Sequence, residues 1–69
     1  MIDNYYDALD HVHAVDDCIV VWHKYKEHIK TLSAQDRADA WNAAVSLVAE
    51  ISGLDTDRAR EWFREATRG

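Results

Sequence analysis

The sequence contains no proline, and its only glycines are Gly53 and Gly69. Proline and glycine are the residues that most often end helices and form turns. A chain of 69 residues that almost lacks both is therefore expected to fold mainly as helices. Cysteine is nearly absent as well. The single Cys18 excludes an internal disulfide and fits a reducing compartment.

Long apolar runs and a secretory signal are also missing. No segment approaches the roughly 20 apolar residues that cross a bilayer, and the first residues lack the basic start and apolar stretch of a signal peptide. The chain is nevertheless 48% hydrophobic and has three tryptophans, which is too apolar for a disordered protein. We therefore expect one soluble helical domain over residues 1–69, located in the cytoplasm.

Apolar residues recur every three or four positions, which is the spacing of amphipathic helices. The pattern predicts a long first helix from about Asp3 to about Thr31. A helix of medium length should follow between the caps Ser33 and Gly53. A short last helix should begin with Asp55 or Thr56 as its cap. The predicted fold class is all-α, with a long N-terminal helix, a medium helix and a short helix.

Five consecutive apolar residues, Cys18 to Trp22, point to all sides of the predicted first helix. Such a turn must be buried all round, and two shorter helices can cover only one side. A second copy of the chain is the simplest cover, so the sequence predicts a helical homodimer. The alternative is a monomer whose apolar surface binds a different protein. The predicted dimer interface consists of Val12, Val15, Ile19, Val21, Trp22, Tyr25 and Ile29.

Acidic residues outnumber basic ones, 13 to 8, which gives a net charge of −5. This balance disfavours nucleic-acid binding, which needs a local excess of Lys and Arg, and it favours basic partners. Aspartates of the predicted first helix lie on one side, with a tyrosine beside them as an aromatic anchor. The alternative is a solvated face whose acids are favoured by the helix dipole. The predicted partner-binding residues are Asp3, Tyr6, Asp7, Asp10 and Asp17.

No arrangement of residues indicates catalysis or a bound metal. Cys18 lies among apolar residues, where a thiol behaves as a small hydrophobe. A Ser-His-Asp spacing and a glycine-rich phosphate loop are both missing. His23 and Glu27 have the spacing of a shared metal site, but the other histidines lie on different sides of the helix. We expect no enzyme activity, no cofactor and no metal.

The stretch "LVAEISGLDTDRAREWF", residues 47–63, resembles a helix-turn-helix of the repressor type. A small residue, Ala49, stands four positions before the turn glycine, Gly53. Ala59 and Trp62 stand six and nine positions after it. The resemblance implies a DNA-recognition helix in the last segment. The same stretch is also similar to the first two helices of ubiquitin-associated-type domains. On the helix-turn-helix interpretation, the DNA-contacting residues are Arg58, Arg60 and Arg64.

In size, acidity and lack of catalytic groups, the chain resembles the small inhibitors that bacteriophages direct against host regulators. Quorum-sensing anti-activators, which bind the DNA-binding domain of a LuxR-type regulator, are one such type, and anti-CRISPR proteins are another. The resemblance implies that the acidic face covers a basic, DNA-binding surface of a host transcription factor and blocks it. The alternative function is that of a DNA-binding transcriptional regulator.

Overall fold

The structure is a computed structural model that describes residues 3–68, apart from the side chain of Asp3. The expected all-helical class is confirmed: this part of the chain has four α-helices and no strand. No helix in it is both long and apolar enough to cross a membrane. The helices are α1 (Asp3–Asp10), α2 (Val15–Ile29), α3 (Ala34–Ser52) and α4 (Thr56–Thr67).

The single long helix expected from Asp3 to Thr31 is wrong, because residues 11–14 divide it into α1 and α2. At the end of α1 the helix tightens into a turn with hydrogen bonds between residues three apart. The backbone N–H of His11 donates to the carbonyl oxygen of Ala8, and that of Val12 donates to the carbonyl oxygen of Leu9, both at 3.1 Å. The His11 ring nitrogen Nδ1 also lies 2.8 Å from the carbonyl oxygen of Asp7. These contacts satisfy carbonyl groups that an ending helix leaves without a partner.

The break in the chain allows α1 to fold back over the rest of the protein. In one straight helix, Tyr5 and Trp22 would be about 25 Å apart at 1.5 Å per residue. In the structure their ring centroids are 6.3 Å apart. The apolar spacing continues across the break without a proline or glycine, and this is why it predicts a single helix. The chain forms two helices instead because this allows α1 to be buried against the core.

The Tyr5 side chain lies at the centre of the core and is fully buried. Its hydroxyl donates a hydrogen bond of 2.7 Å to the carbonyl oxygen of Ala40 in α3. Its ring meets the rings of Tyr6 and Tyr25 edge-on, at centroid distances of 5.4 and 6.0 Å. Trp41 and Phe63, 4.9 Å apart, bring α3 and α4 to the same aromatic cluster. The cluster therefore connects all four helices.

The caps of α3 and α4 follow from local sequence. The Ser33 hydroxyl accepts a hydrogen bond from the amide of Asp36, and the Asp55 carboxylate accepts one from the amide of Arg58. Gly53 ends α3 with a φ of 79°, a left-handed conformation that glycine adopts without strain. The turn between α3 and α4 is consequently short, and the two helices pack against each other.

The apolar residues Cys18 to Trp22 are only partly covered within one chain. Cys18 is fully buried and Val20 is 62% exposed. Two members of the predicted dimer interface, Val12 and Ile29, belong to the chain's own core. The other five are partly buried and pack against that core: Val15, Ile19, Val21, Trp22 and Tyr25.

Candidate functional site

The net charge of −5 comes from two of the four helices. Helix α1 contains three aspartates and no Lys or Arg. Helix α3 contains three acidic residues, Asp36, Asp39 and Glu50, and one basic residue, Arg37. In the rest of the chain, acidic and basic residues are equal in number. The negative charge therefore belongs to the side of the molecule that α1 and α3 form.

The ion pairs among the described side chains lie elsewhere. Glu27 pairs with Lys30 at the end of α2, and the other pairs in residues 3–68 lie at or beside α4. Among the described side chains, no acid of α1 or α3 takes part in an ion pair. The α4 pairs are Arg58 with Asp55, Arg60 with Asp57 and Arg68 with Glu65, at 3.9, 3.1 and 3.6 Å.

An open groove with a volume of about 300 Å³ separates part of α1 from α3. Its floor contains the buried side chains of Leu9 and Val12. The exposed side chains of Asp10 and Glu50 stand at its rim, one on each helix. The groove thus combines an apolar floor with acidic sides. Its remaining lining residues are Tyr6, Ala43, Ser46 and Leu47.

Tyr6, which lines the groove, lies near two negatively charged residues of α3. Partial burial of its hydroxyl raises the pKa, and the charges of Asp39 and Asp36 raise it further. The two carboxylates raise the pKa because ionisation of the phenol would add another negative charge beside them. The charges of Asp36 and Asp39 therefore lie near Tyr6, although neither residue lines the groove.

The structure separates the residues that the sequence places on one acidic stripe. Asp7 and Asp10 are exposed on α1, whereas Asp17 is exposed on α2. The side chain of Asp3 lies outside the described residues. The acid that lines the groove together with Asp10 is Glu50, which belongs to α3 and is distant in sequence. No local pattern indicates this neighbourhood, because it depends on how α1 folds back.

The segment that resembles a helix-turn-helix does form two helices joined by a tight glycine turn. Ala59 is buried against the core, but Trp62 is 36% exposed. Arg58 and Arg60 are each paired with an aspartate one turn away. Arg64 is exposed and has no ion pair among the described side chains. The outer surface of α4 is therefore mixed in charge rather than basic.

The described residues contain no group of three or more His, Cys, Asp and Glu side chains that could hold a metal ion. His23 and Glu27, the pair with metal-ligand spacing, are both exposed on α2. Burial raises the pKa of the Cys18 thiol, and the charge of Asp17 raises it further. A raised pKa makes a thiol a poorer nucleophile at neutral pH.

No protein-family model matches the chain, and comparisons with curated proteins and with solved structures found no match. The candidate functional site is the acidic side of α1 and α3, with its groove.

Proposed function

We propose that this protein is a small, non-catalytic inhibitor that binds the basic surface of a regulatory protein. The surface that binds is the side of the molecule formed by α1 and α3. In the form we favour, the partner is the DNA-binding domain of a LuxR-type transcription factor. The chain would be encoded by a bacteriophage and would act in the cytoplasm of the host cell.

The observation that supports this proposal most is the unpaired acidic charge of α1 and α3. Asp57 and Glu65 on α4 and Glu27 in α2 form ion pairs within the chain, whereas no acid of α1 or α3 does so among the described side chains. Like charges close together repel, so this arrangement is not explained by stability. A basic partner would provide the missing counter-charges and would be attracted over a distance.

Inhibition follows from the kind of surface that such a partner presents. DNA-binding domains carry clustered Lys and Arg that neutralise phosphates. An acidic protein face competes for the same side chains and excludes DNA. The sequence-based prediction of Asp7 and Asp10 as partner-binding residues fits this proposal, since both are exposed on α1.

A charge-reversal experiment tests the proposal. The variant Asp7→Lys/Asp10→Lys changes the acidic side, and Glu27→Lys/Glu61→Lys makes the same change in net charge elsewhere. Binding of both variants to a purified LuxR-type DNA-binding domain would be followed by biolayer interferometry at low and at moderate salt. We expect the first variant to associate at least tenfold more slowly at low salt, because charged surfaces mainly set the association rate.

The control variant should associate nearly as fast as the parent protein. Equal loss of binding in both variants would mean that only the total charge matters. No binding by the parent protein would exclude this class of partner, and a pull-down from a bacterial lysate with mass spectrometry would then seek another regulator. A competition gel shift should show that the parent protein, and not the first variant, removes the regulator from its DNA.

The alternative function is a DNA-binding regulator that uses Arg58, Arg60 and Arg64. The observation in its favour is the glycine turn between α3 and α4, with Gly53 in the left-handed conformation. A gel shift of genomic fragments with this protein alone distinguishes the two functions. An inhibitor gives no shift, whereas a regulator gives one that Arg64→Ala weakens.

A further inference from the structure

The groove between α1 and α3 has two kinds of lining that are complementary to one kind of side chain. Leu9 and Val12 provide an apolar floor, while Asp10 and Glu50 provide negative charge at the rim. Lys and Arg side chains combine an apolar stem with a cationic end, and they bury the stem while the charge stays near water. No Lys or Arg of the described residues lines the groove.

We infer that this groove binds an arginine side chain of the basic partner. The stem lies over Leu9 and Leu47, and the guanidinium group lies between the carboxylates of Asp10 and Glu50. This inference rests on the proposed function, which assigns a basic partner to the same side of the molecule. It adds the point at which the partner is anchored and the residue type that anchors it.

Arginine suits the groove better than lysine for reasons of geometry. A guanidinium group has five N–H donors in a fixed plane and can reach two carboxylates at once. The hydroxyl of Ser46, another lining group, can accept a further hydrogen bond. The half-buried ring of Tyr6 offers an aromatic face, on which guanidinium groups stack. An ammonium group is a compact charge without this planar match.

The size of the groove fits a single side chain and its surroundings. Pockets for small-molecule ligands have volumes of roughly 300–1,000 Å³ and usually enclose most of the ligand. This groove has about 300 Å³ and is open to solvent. It would not enclose a cofactor, but it can receive one residue from a protein surface. Anchors of this kind often supply most of the energy of an interface, and arginine is common among them.

The test uses the full-length protein labelled with ¹⁵N and a short Gly/Ser peptide that carries three arginines. Amide resonances are recorded as the peptide is added, and matched peptides carry lysine or neutral citrulline instead. We expect the largest shifts at Tyr6, Asp10, Ser46 and Glu50 with the arginine peptide. The lysine peptide should give smaller shifts at the same positions, and the citrulline peptide should give none.

Two pairs of variants separate the groove from general electrostatics. Glu50→Gln removes a charge at the rim, and Glu61→Gln removes one from the exposed surface of α4. We expect the first change to weaken peptide binding about two- to fivefold, as for other exposed ion pairs, and the second to leave it unchanged. Ser46→Leu fills the groove without changing the charge, and Asn42→Leu places the same side chain on the same helix outside the groove lining.

Ser46→Leu should abolish the shifts at the groove, and Asn42→Leu should preserve them. Equal shifts with the arginine and citrulline peptides would overturn the inference, and so would shifts spread over the acids of α2 and α4. A negative result for arginine binding in the groove does not exclude the proposed function. In that case Asp7→Lys/Asp10→Lys would still weaken binding to the regulator, while Ser46→Leu would bind it as well as the parent does.

Discussion

Replacement of Tyr5 by phenylalanine tests the contact that holds α1 against the rest of the protein. The change keeps the aromatic ring and its edge-on contacts but removes the 2.7 Å hydrogen bond to Ala40. A net hydrogen bond contributes about 0.5–1.5 kcal/mol to folding. One kcal/mol lowers the melting temperature of a domain this small by about 4–8 °C. We therefore expect Tyr5→Phe to melt roughly 2–12 °C lower in a circular dichroism experiment at neutral pH.

The pH dependence of folding stability provides a second test of this prediction. Burial raises the pKa of the Tyr5 hydroxyl far above its ordinary value, and the neighbouring Tyr6 and Cys18 raise it further. In the unfolded chain the hydroxyl ionises near pH 10. The contribution of Tyr5 to stability is therefore complete below about pH 10 and decreases as the pH rises further. The difference in stability between the parent protein and Tyr5→Phe should shrink over the same range.

Tyr25→Phe is the matched control, because Tyr25 is only partly buried and its hydroxyl has no hydrogen bond to the described residues. It should melt within a degree or two of the parent protein. If Tyr5→Phe is as stable as the parent at neutral pH, or if its difference from the parent grows above pH 10, the reasoning on this hydrogen bond fails.

Two further predictions concern α2. Cys18 is fully buried and its pKa is raised. We therefore expect its thiol to react with a thiol reagent at least a hundredfold more slowly in native protein than in urea. Equal rates would show that the Cys18 side chain is accessible to solvent. We propose that the partly buried surface around Ile19 and Val21 contacts a second copy of the chain. Light scattering should then give twice 8.0 kDa, and Val20→Glu, which changes a residue 62% exposed in one chain, should give a folded monomer. A monomeric parent protein would contradict the dimer.

The parts of the fold that the sequence predicts are those governed by contacts between close neighbours. The Ser33 and Asp55 caps each depend on an amide three residues later, and the end of α3 depends on one glycine. Such signals are contained in a few consecutive residues. The division of the first helix depends instead on Tyr5 reaching Ala40, 35 residues away. No spacing within residues 3–31 reveals that contact.

The candidate site was predictable only in part for the same reason. The sequence identifies the acidic aspartates of α1 and Tyr6 beside them, because these residues share one short helix. It does not place Glu50 opposite Asp10, since the two residues are brought together only when α1 folds back. No sequence pattern indicates the apolar floor of the groove either. Leu9 and Val12 look like ordinary core positions, and the groove exists because part of their surface faces the gap between two helices.

The position of α1 connects the fold to the proposed function. In one continuous N-terminal helix, Tyr6 would be carried away from the Asp36 and Asp39 charges that now raise its pKa. Folding α1 back places Asp10 and Glu50 along the same groove, and the repulsion between their like charges opposes that arrangement. Burial of Tyr5 and its hydrogen bond offset the repulsion. In the proposed function, the cations of a basic partner would relieve this repulsion, and the contact that holds α1 in place would keep the acidic groove formed for that partner.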